Sequence, residues 1–322
     1  MTKPSNTFSR RSFAKLSALG VAGIPLLSFQ NRLTNSALTE PEQLDVHLFS
    51  KHLQFLDYND MSAAAADMGF DGLDLTVRPK GHVTPERVAD HLPEAVAAIK
   101  KHGLTPKMMT TNVWDVQNPI QTTVLKTASK LGFTHYRTDW LKYPKNMAIT
   151  DSQDVFGKQA ANLEQLNEKL GLIGGYQNHA GTHVGAPIWD LVPILEATQG
   201  KFIGSQYDIR HAVVEGGLSW ELGLERIQSF INSIVIKDFK WMLVDGQWKP
   251  VTVPLGEGMV DFKRYFSLLK QYGIKVPVSL HIEYDLGGAE KGRKTITMDK
   301  KEIFARIKKD LVFLRETWKN VQ

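Results

Sequence analysis

Carboxylates, imidazoles, an amide and a lysine recur late in short apolar runs of this chain. Asp208 stands near the end of FIGSQYDI (202–209), with His211 three residues on. In VPVSLHIEY (276–284), alternation puts Ser279, His281 and Glu283 on one face, and Leu280, Ile282 and Tyr284 on the other. An unpaired carboxylate late in an apolar strand is expensive, so Asp208 and Glu283 are expected to share a pocket. Gln177 and His179 share a face of LIGGYQNH (172–179), as do Val235 and Lys237 in SIVIKDF (233–239). Arg78 follows GLDLTV (72–77) and Arg137 lies in HYRTD (135–139). Trp114, Trp140 and Trp241 stand at or just past such ends, where an indole stacks on a sugar face. Groups of these types, brought to one level, hold a divalent ion or a sugar. Each has a plainer reading: the arginines as loop braces, His281 as a core histidine, the tryptophans as packing.

The elements that must position these residues alternate regularly. Strands are expected at 45–50, 72–77, 106–113, 135–139, 172–179, 202–209, 233–239 and 276–284. Segments of helical period lie between them, at 59–69, 84–103, 119–132, 151–170, 187–199, 219–230, 260–272 and 298–318. Eight strand–helix units in this order predict an α/β chain folded as one closed (β/α)8 TIM barrel, with an open doubly wound sheet as the alternative. WMLVDGQWKPVTVPLGEG (241–258) breaks the rhythm, and its Asp-Gly pair predicts a β-hairpin inserted after the seventh strand.

Composition narrows the function. The chain has 322 residues and no cysteine, which excludes disulfides, thiolate metal sites and cysteine nucleophiles. Its net charge of +5 comes from Lys3, Arg10, Arg11, Lys15 and Arg32; without these five, 34 basic residues face 34 acidic ones. A balanced remainder carries no footprint for nucleic acid. SRRSFAKLSALGVAGIPLLSF (9–29) resembles a bacterial twin-arginine export signal, with Ala14 where leucine is usual and Lys15 matching. That resemblance implies residues 1–40 as signal and linker, cleavage after Ala37, the twin-arginine translocase as partner, and a periplasmic or otherwise exported barrel over 41–322. The apolar stretch is too short and interrupted for a membrane anchor. Nothing in the sequence sets an oligomeric state.

The motifs, taken in order, resemble the xylose isomerase-like barrel superfamily of sugar isomerases and epimerases, which includes the endonuclease IV type of repair enzyme. GFDGLDLTVRPKGHV (69–83), GYQNH (175–179), QYDIRHAVVEGG (206–217), IVIKDF (234–239), GEGMVDF (256–262) and SLHIEYD (279–285) carry the likeness. It implies one divalent ion held by Glu, Asp, His and Glu on the last four strands. Here the Asp falls on Asp208, the last Glu on Glu283, the first Glu on Gln177 and the His on Val235, which ligates nothing. Either His179, His211 or His281 restores a nitrogen ligand for manganese, cobalt or zinc, or the pocket works without a metal. The implied reaction is metal-assisted proton abstraction beside the carbonyl of an unphosphorylated carbohydrate, by an isomerase or epimerase. Glu283 or His179 would be the base, His211 would orient or protonate the substrate, and Lys237 would meet the oxyanion. A lyase or dehydratase acting on keto-sugars or 3-keto-glycosides is the alternative, and a non-catalytic sugar binder the third.

Overall fold

Runs rich in valine, isoleucine and leucine form the sheet of the computed structural model, which describes residues 43–321. The export signal and the boundary at residue 40 lie outside the described residues. The strands are β1 (Val46–Phe49), β2 (Gly72–Val77), β3 (Thr105–Thr111), β4 (His135–Arg137), β5 (Ile173–Gln177), β6 (Ile203–Asp208), β7 (Ile231–Ile236), the hairpin pair β8 (Asp238–Val244) and β9 (Gln247–Val253), and β10 (Val278–Leu280). Eight of them, all parallel, close into a barrel in the order β1-β10-β7-β6-β5-β4-β3-β2. Around it run α1 (Tyr58–Met68), α2 (Val88–Lys101), α3 (Pro119–Leu131), α4 (Ile149–Leu170), α5 (Leu191–Glu196), α6 (Ile209–Gly216), α7 (Trp220–Ile227), α8 (Phe262–Gln271) and α9 (Lys300–Asn320). This is the (β/α)8 barrel, and the open-sheet alternative falls. No described helix is long and apolar enough to cross a membrane.

Alternation along each strand sorts the core. On β2, Leu73 and Leu75 are buried in the apolar cluster that the helices cover. Asp74 between them turns to the barrel axis, where Thr110 donates to Oδ1 and Ser279 to Oδ2. Burial pushes the Asp74 carboxyl up, against the pull of the Ser279 hydrogen bond.

Two boundaries differ from the expected ones, each for a visible reason. The last barrel strand ends at Leu280, not at residue 284. His281 N still donates to Ile236 O, but Ile282 N turns to the His52 ring, which accepts at Nε2 over 2.9 Å. His281 and Glu283 therefore sit on a loop at the mouth rather than on a strand. The hairpin occupies 238–253 rather than 241–258. Its turn, Asp245-Gly246, has φ of 53° and 74°, the pair of positive values that a tight two-residue hairpin demands.

Candidate functional site

The C-terminal ends of the barrel strands open on a cavity of about 310 Å3. β1 and the turn after it supply Phe49 and Lys51, β2 leads to Arg78, and β4 brings Arg137 with Trp140 beyond. β5 contributes Gln177 and His179, β7 leads to Lys237, and the loop after β10 adds His281 and Glu283. Asp208, at the end of β6, is fully buried beneath this lining.

An ammonium group sits at the centre. Lys237 Nζ lies 3.1 Å from Asp208 Oδ2 and 3.2 Å from Glu283 Oε2, with the lysine side chain 3% exposed. Lys51 Nζ reaches the other Glu283 oxygen at 2.6 Å. Asp208 also accepts Gln177 Nε2 at 2.8 Å and the backbone N–H of His211 at 3.1 Å, so it caps α6. Every one of these groups donates, which is the surrounding of a carboxylate rather than a carboxylic acid. Burial raises the cost of that charge and pushes the Asp208 carboxyl up, with Lys237 the main counterweight. Burial would raise Glu283 too, but Lys237 and Lys51 together hold it well below the usual carboxylate range.

These residues, so arranged, do not fit a divalent ion. The Gln177 oxygen accepts from Arg137 Nη1 at 3.0 Å, which turns its N–H group toward Asp208. A guanidinium only donates and a carboxylate only accepts, so this amide orientation is fixed. Val235, beside Asp208 in the sheet, is buried and apolar. The two carboxylates face the Lys237 ammonium. Among the described residues no group of three or more His, Asp or Glu side chains is disposed to hold a metal.

The two histidines nearby are set in opposite tautomers. His179 Nδ1 lies 2.9 Å from the Ala180 carbonyl, which only accepts, so Nδ1 carries the proton and Nε2 the lone pair. His211 Nδ1 accepts from Arg210 Nη1 at 2.9 Å, so its proton is on Nε2, an atom that finds no hydrogen-bond partner. The ring centroids lie 4.1 Å apart, with the planes tilted by 37°. Desolvation, then the neighbouring Lys237 charge, lowers His179 to about 4 and His211 well below its ordinary value, so both rings are neutral near pH 7. Arg210 also donates to Pro250 O, which ties the hairpin to this side of the mouth.

His281 is packed rather than free: it stacks on Phe49 at 4.1 Å. Ser279 gives its proton to Asp74, so the ring donates from Nε2 to the serine oxygen over 3.1 Å. Trp140 forms the opposite wall, with the Arg137 guanidinium 4.3 Å over its ring and His179 at 4.7 Å.

Of the residues singled out in the sequence, Arg78, Arg137, Trp140, Gln177, His179, Lys237, His281 and Glu283 meet at the cavity, with Asp208 and His211 directly behind. Trp114 and Trp241 do not line it. Trp114 is buried and donates to Gln159 Oε1, packing edge-on to Tyr176; Trp241 is 41% exposed on the hairpin. Lys51 and Arg210 were not anticipated. Lys51 follows β1 in a single helical turn (50–53), and the polar SKH after an apolar run was the available signal.

Similarity to known proteins agrees with the barrel. Residues 62–302 match the family model described as xylose isomerase-like TIM barrel. No curated protein matches the sequence. Among solved structures, D-psicose 3-epimerase with D-tagatose from Clostridium cellulolyticum H10 is similar with a TM-score of 0.63 at 14% identity, covering 86% of this chain and 99% of that one. The probable 3-DHS dehydratase involved in petrobactin synthesis from Bacillus anthracis gives 0.59 at 12% identity, with 84% and 98% covered. A xylose isomerase-like TIM barrel protein from Mycobacterium smegmatis, in complex with magnesium, gives 0.60 at 14%, with 83% and 98% covered. At such identities the structures speak for the fold alone. The family model, matched over well more than half of the sequence, places this chain in the xylose isomerase-like TIM barrel family.

Proposed function

We propose that this chain is a sugar isomerase or epimerase that moves a proton beside the carbonyl of an unphosphorylated carbohydrate, with the Lys237 ammonium as its fixed central cation. The observation that carries the reading is the seating of that ammonium between Asp208 and Glu283 on the floor of the cavity. His179 takes the proton from carbon at Nε2, because its other nitrogen is committed to Ala180. Glu283 is the weaker candidate for base, since two ammonium groups hold its charge. The electron pair left on carbon becomes an enediolate, whose oxygen faces Lys237 and Lys51. Protonation of the neighbouring carbon, with the hydroxyl proton passing from one enediolate oxygen to the other, completes isomerisation; protonation of the same carbon on its opposite face completes epimerisation. His211, packed against His179, orients the base. Trp140 offers an indole face to the sugar. Elimination of a neighbouring oxygen from the same enediolate is the second reading; a dehydratase among the similar structures favours it.

The test is proton exchange. The protein, treated with EDTA, is incubated in D2O with neutral ketoses, keto-sugars and a 3-keto-glycoside, and proton NMR follows the carbon next to the carbonyl. Deuterium entering that position with EDTA present is the expected outcome, and an unsaturated product would select elimination. Exchange that starts only on adding manganese, cobalt or zinc would sink the role given to Lys237. No exchange with any of them would leave plain sugar binding. The choice of an unphosphorylated substrate rests on the leader, which resembles an export signal. It predicts periplasmic protein in a strain with the twin-arginine translocase and cytoplasmic precursor in one without it.

A further inference from the structure

The ion pairs of the cavity leave two of its cations unused. Four cationic side chains line it, Lys51, Arg78, Arg137 and Lys237, against the single lining carboxylate of Glu283. Lys237 is spent on Asp208 and Glu283, and Lys51 on Glu283. Among the described residues, neither Arg78 nor Arg137 has a carboxylate within the 4.0 Å of an ion pair. Among the described residues the Arg78 side chain makes no hydrogen bond; its guanidinium lies 5.5 Å from the Phe49 ring. Arg137 is 4% exposed, gives one N–H to Gln177, and leaves its buried Nε without a partner. A guanidinium is costly to bury in this state unless something arrives to accept its hydrogens.

We infer that Arg78 and Arg137 form the seat of a carboxylate on the substrate, so that the sugar is an acid, of uronate or keto-acid type. The inference rests on the proposed function for the rest of the site and names its substrate class. Arginine forks match carboxylates in two parallel hydrogen bonds, a geometry that neutral hydroxyls do not complete. The two guanidinium groups feel each other: desolvation, then the charge of Arg78, lowers Arg137 to about 9. A bound anion relieves that repulsion. The nearby acids do not fill the place. Asp74 is engaged by two hydroxyls, and Asp139 accepts the backbone N–H of Trp140. With the carbohydrate's carboxylate on this side, its carbonyl end is left for Lys237 and His179 across the cavity.

Five probes separate the possibilities by calorimetry: D-glucuronate, D-galacturonate, D-glucose, D-galactose and D-fructose 6-phosphate. The uronates differ from their parent sugars only in carrying a carboxylate, and they should bind at least tenfold more tightly. Arg78→Met should abolish that preference, and Arg78→Lys should restore part of it. Equal or tighter binding of glucose and galactose overturns the inference, as does a preference that survives in Arg78→Met. Tighter binding of the phosphate ester than of either uronate overturns the carboxylate assignment. Uronate binding without carbon-bound proton exchange leaves the arginine seat standing and removes the proposed reaction. Exchange on a neutral ketose with no uronate binding does the reverse, and silence from all five overturns the seat.

Discussion

Lys237 and Asp208 stand 3.1 Å apart with side chains 3% and 0% exposed, so neither charge has water to fall back on. Removing one member of such a pair strands the other, at a cost of about 3–5 kcal/mol. Lys237→Met should therefore lower stability by about 3 kcal/mol. Lys237→Met with Asp208→Asn should cost less than the sum of the two single changes, because the stranded charge is gone. Urea midpoints of the four proteins measure the coupling. Strict additivity would mean that the two charges do not depend on each other.

Asp310 on α9 makes stability depend on pH away from the site. It is buried, and desolvation raises its carboxyl to about 7 despite hydrogen bonds from Tyr284 and the Leu255 backbone. The folded state thus holds a proton that the unfolded chain releases near pH 4. Between about pH 4 and pH 7 the folded form binds more protons, so this residue's contribution to stability falls as pH rises through that window. Asp310→Asn removes the titration. Relative to the wild type, the variant should gain on the order of 2 kcal/mol between pH 5 and pH 8. An unchanged difference at the two pH values would place the Asp310 proton elsewhere.

The barrel was legible because its signals are local. Period-two apolar runs, helical stretches and positive-φ residues after helices, such as Gly69 and Gly132, act over a few residues. What alternation could not say is where a strand leaves the sheet. The last strand stops at Leu280 because His52, 230 residues away, accepts the backbone N–H of Ile282. The site divides in the same way. Asp208 at the end of β6, Lys237 just past β7 and Glu283 on the loop after β10 come to the mouth, and Val235 signals that a nitrogen ligand is missing. That an ammonium lies between the two carboxylates depends on three strands meeting in space, and no spacing encodes it. Trp114 and Trp241 show the converse. Position near a strand end put them beside the cavity, but Gln159 and Tyr176 claim the first, and the earlier start of the hairpin carries the second outward.

The two tryptophans at opposite fates make a paired test. Trp140 walls the cavity under Arg137, whereas Trp241 is 41% exposed and packs edge-on to Phe239. Trp140→Ala should weaken sugar binding at least tenfold, having removed both the stacking face and the partner of the Arg137 guanidinium. Trp241→Ala should change it less than twofold. Calorimetry with the best-bound sugar reads both. A larger loss in Trp241→Ala than in Trp140→Ala would mean that the hairpin, not β4, covers the substrate.

Asp238 and Gly258 locate the strongest local constraint near the mouth. Asp238 follows Lys237 but faces away from the cavity, and its two oxygens accept the backbone N–H groups of Phe239, Gly256, Gly258 and Val260. The loop closes on it so tightly that a Cβ at residue 258 would lie 1.9 Å from Asp238 Oδ1. Gly258→Ala must push the loop off the carboxylate and free several of those hydrogen bonds, a loss of about 2 kcal/mol or more. Because Lys237 immediately precedes Asp238, the displacement should also pull its ammonium away from Glu283. Thermal unfolding of Gly258→Ala is therefore expected several degrees below wild type, with slower proton exchange on a confirmed substrate. Asp238→Ala should reproduce both effects, and adding Gly258→Ala to it should cost little more. A fully additive pair would show that the glycine is needed for some reason other than this carboxylate.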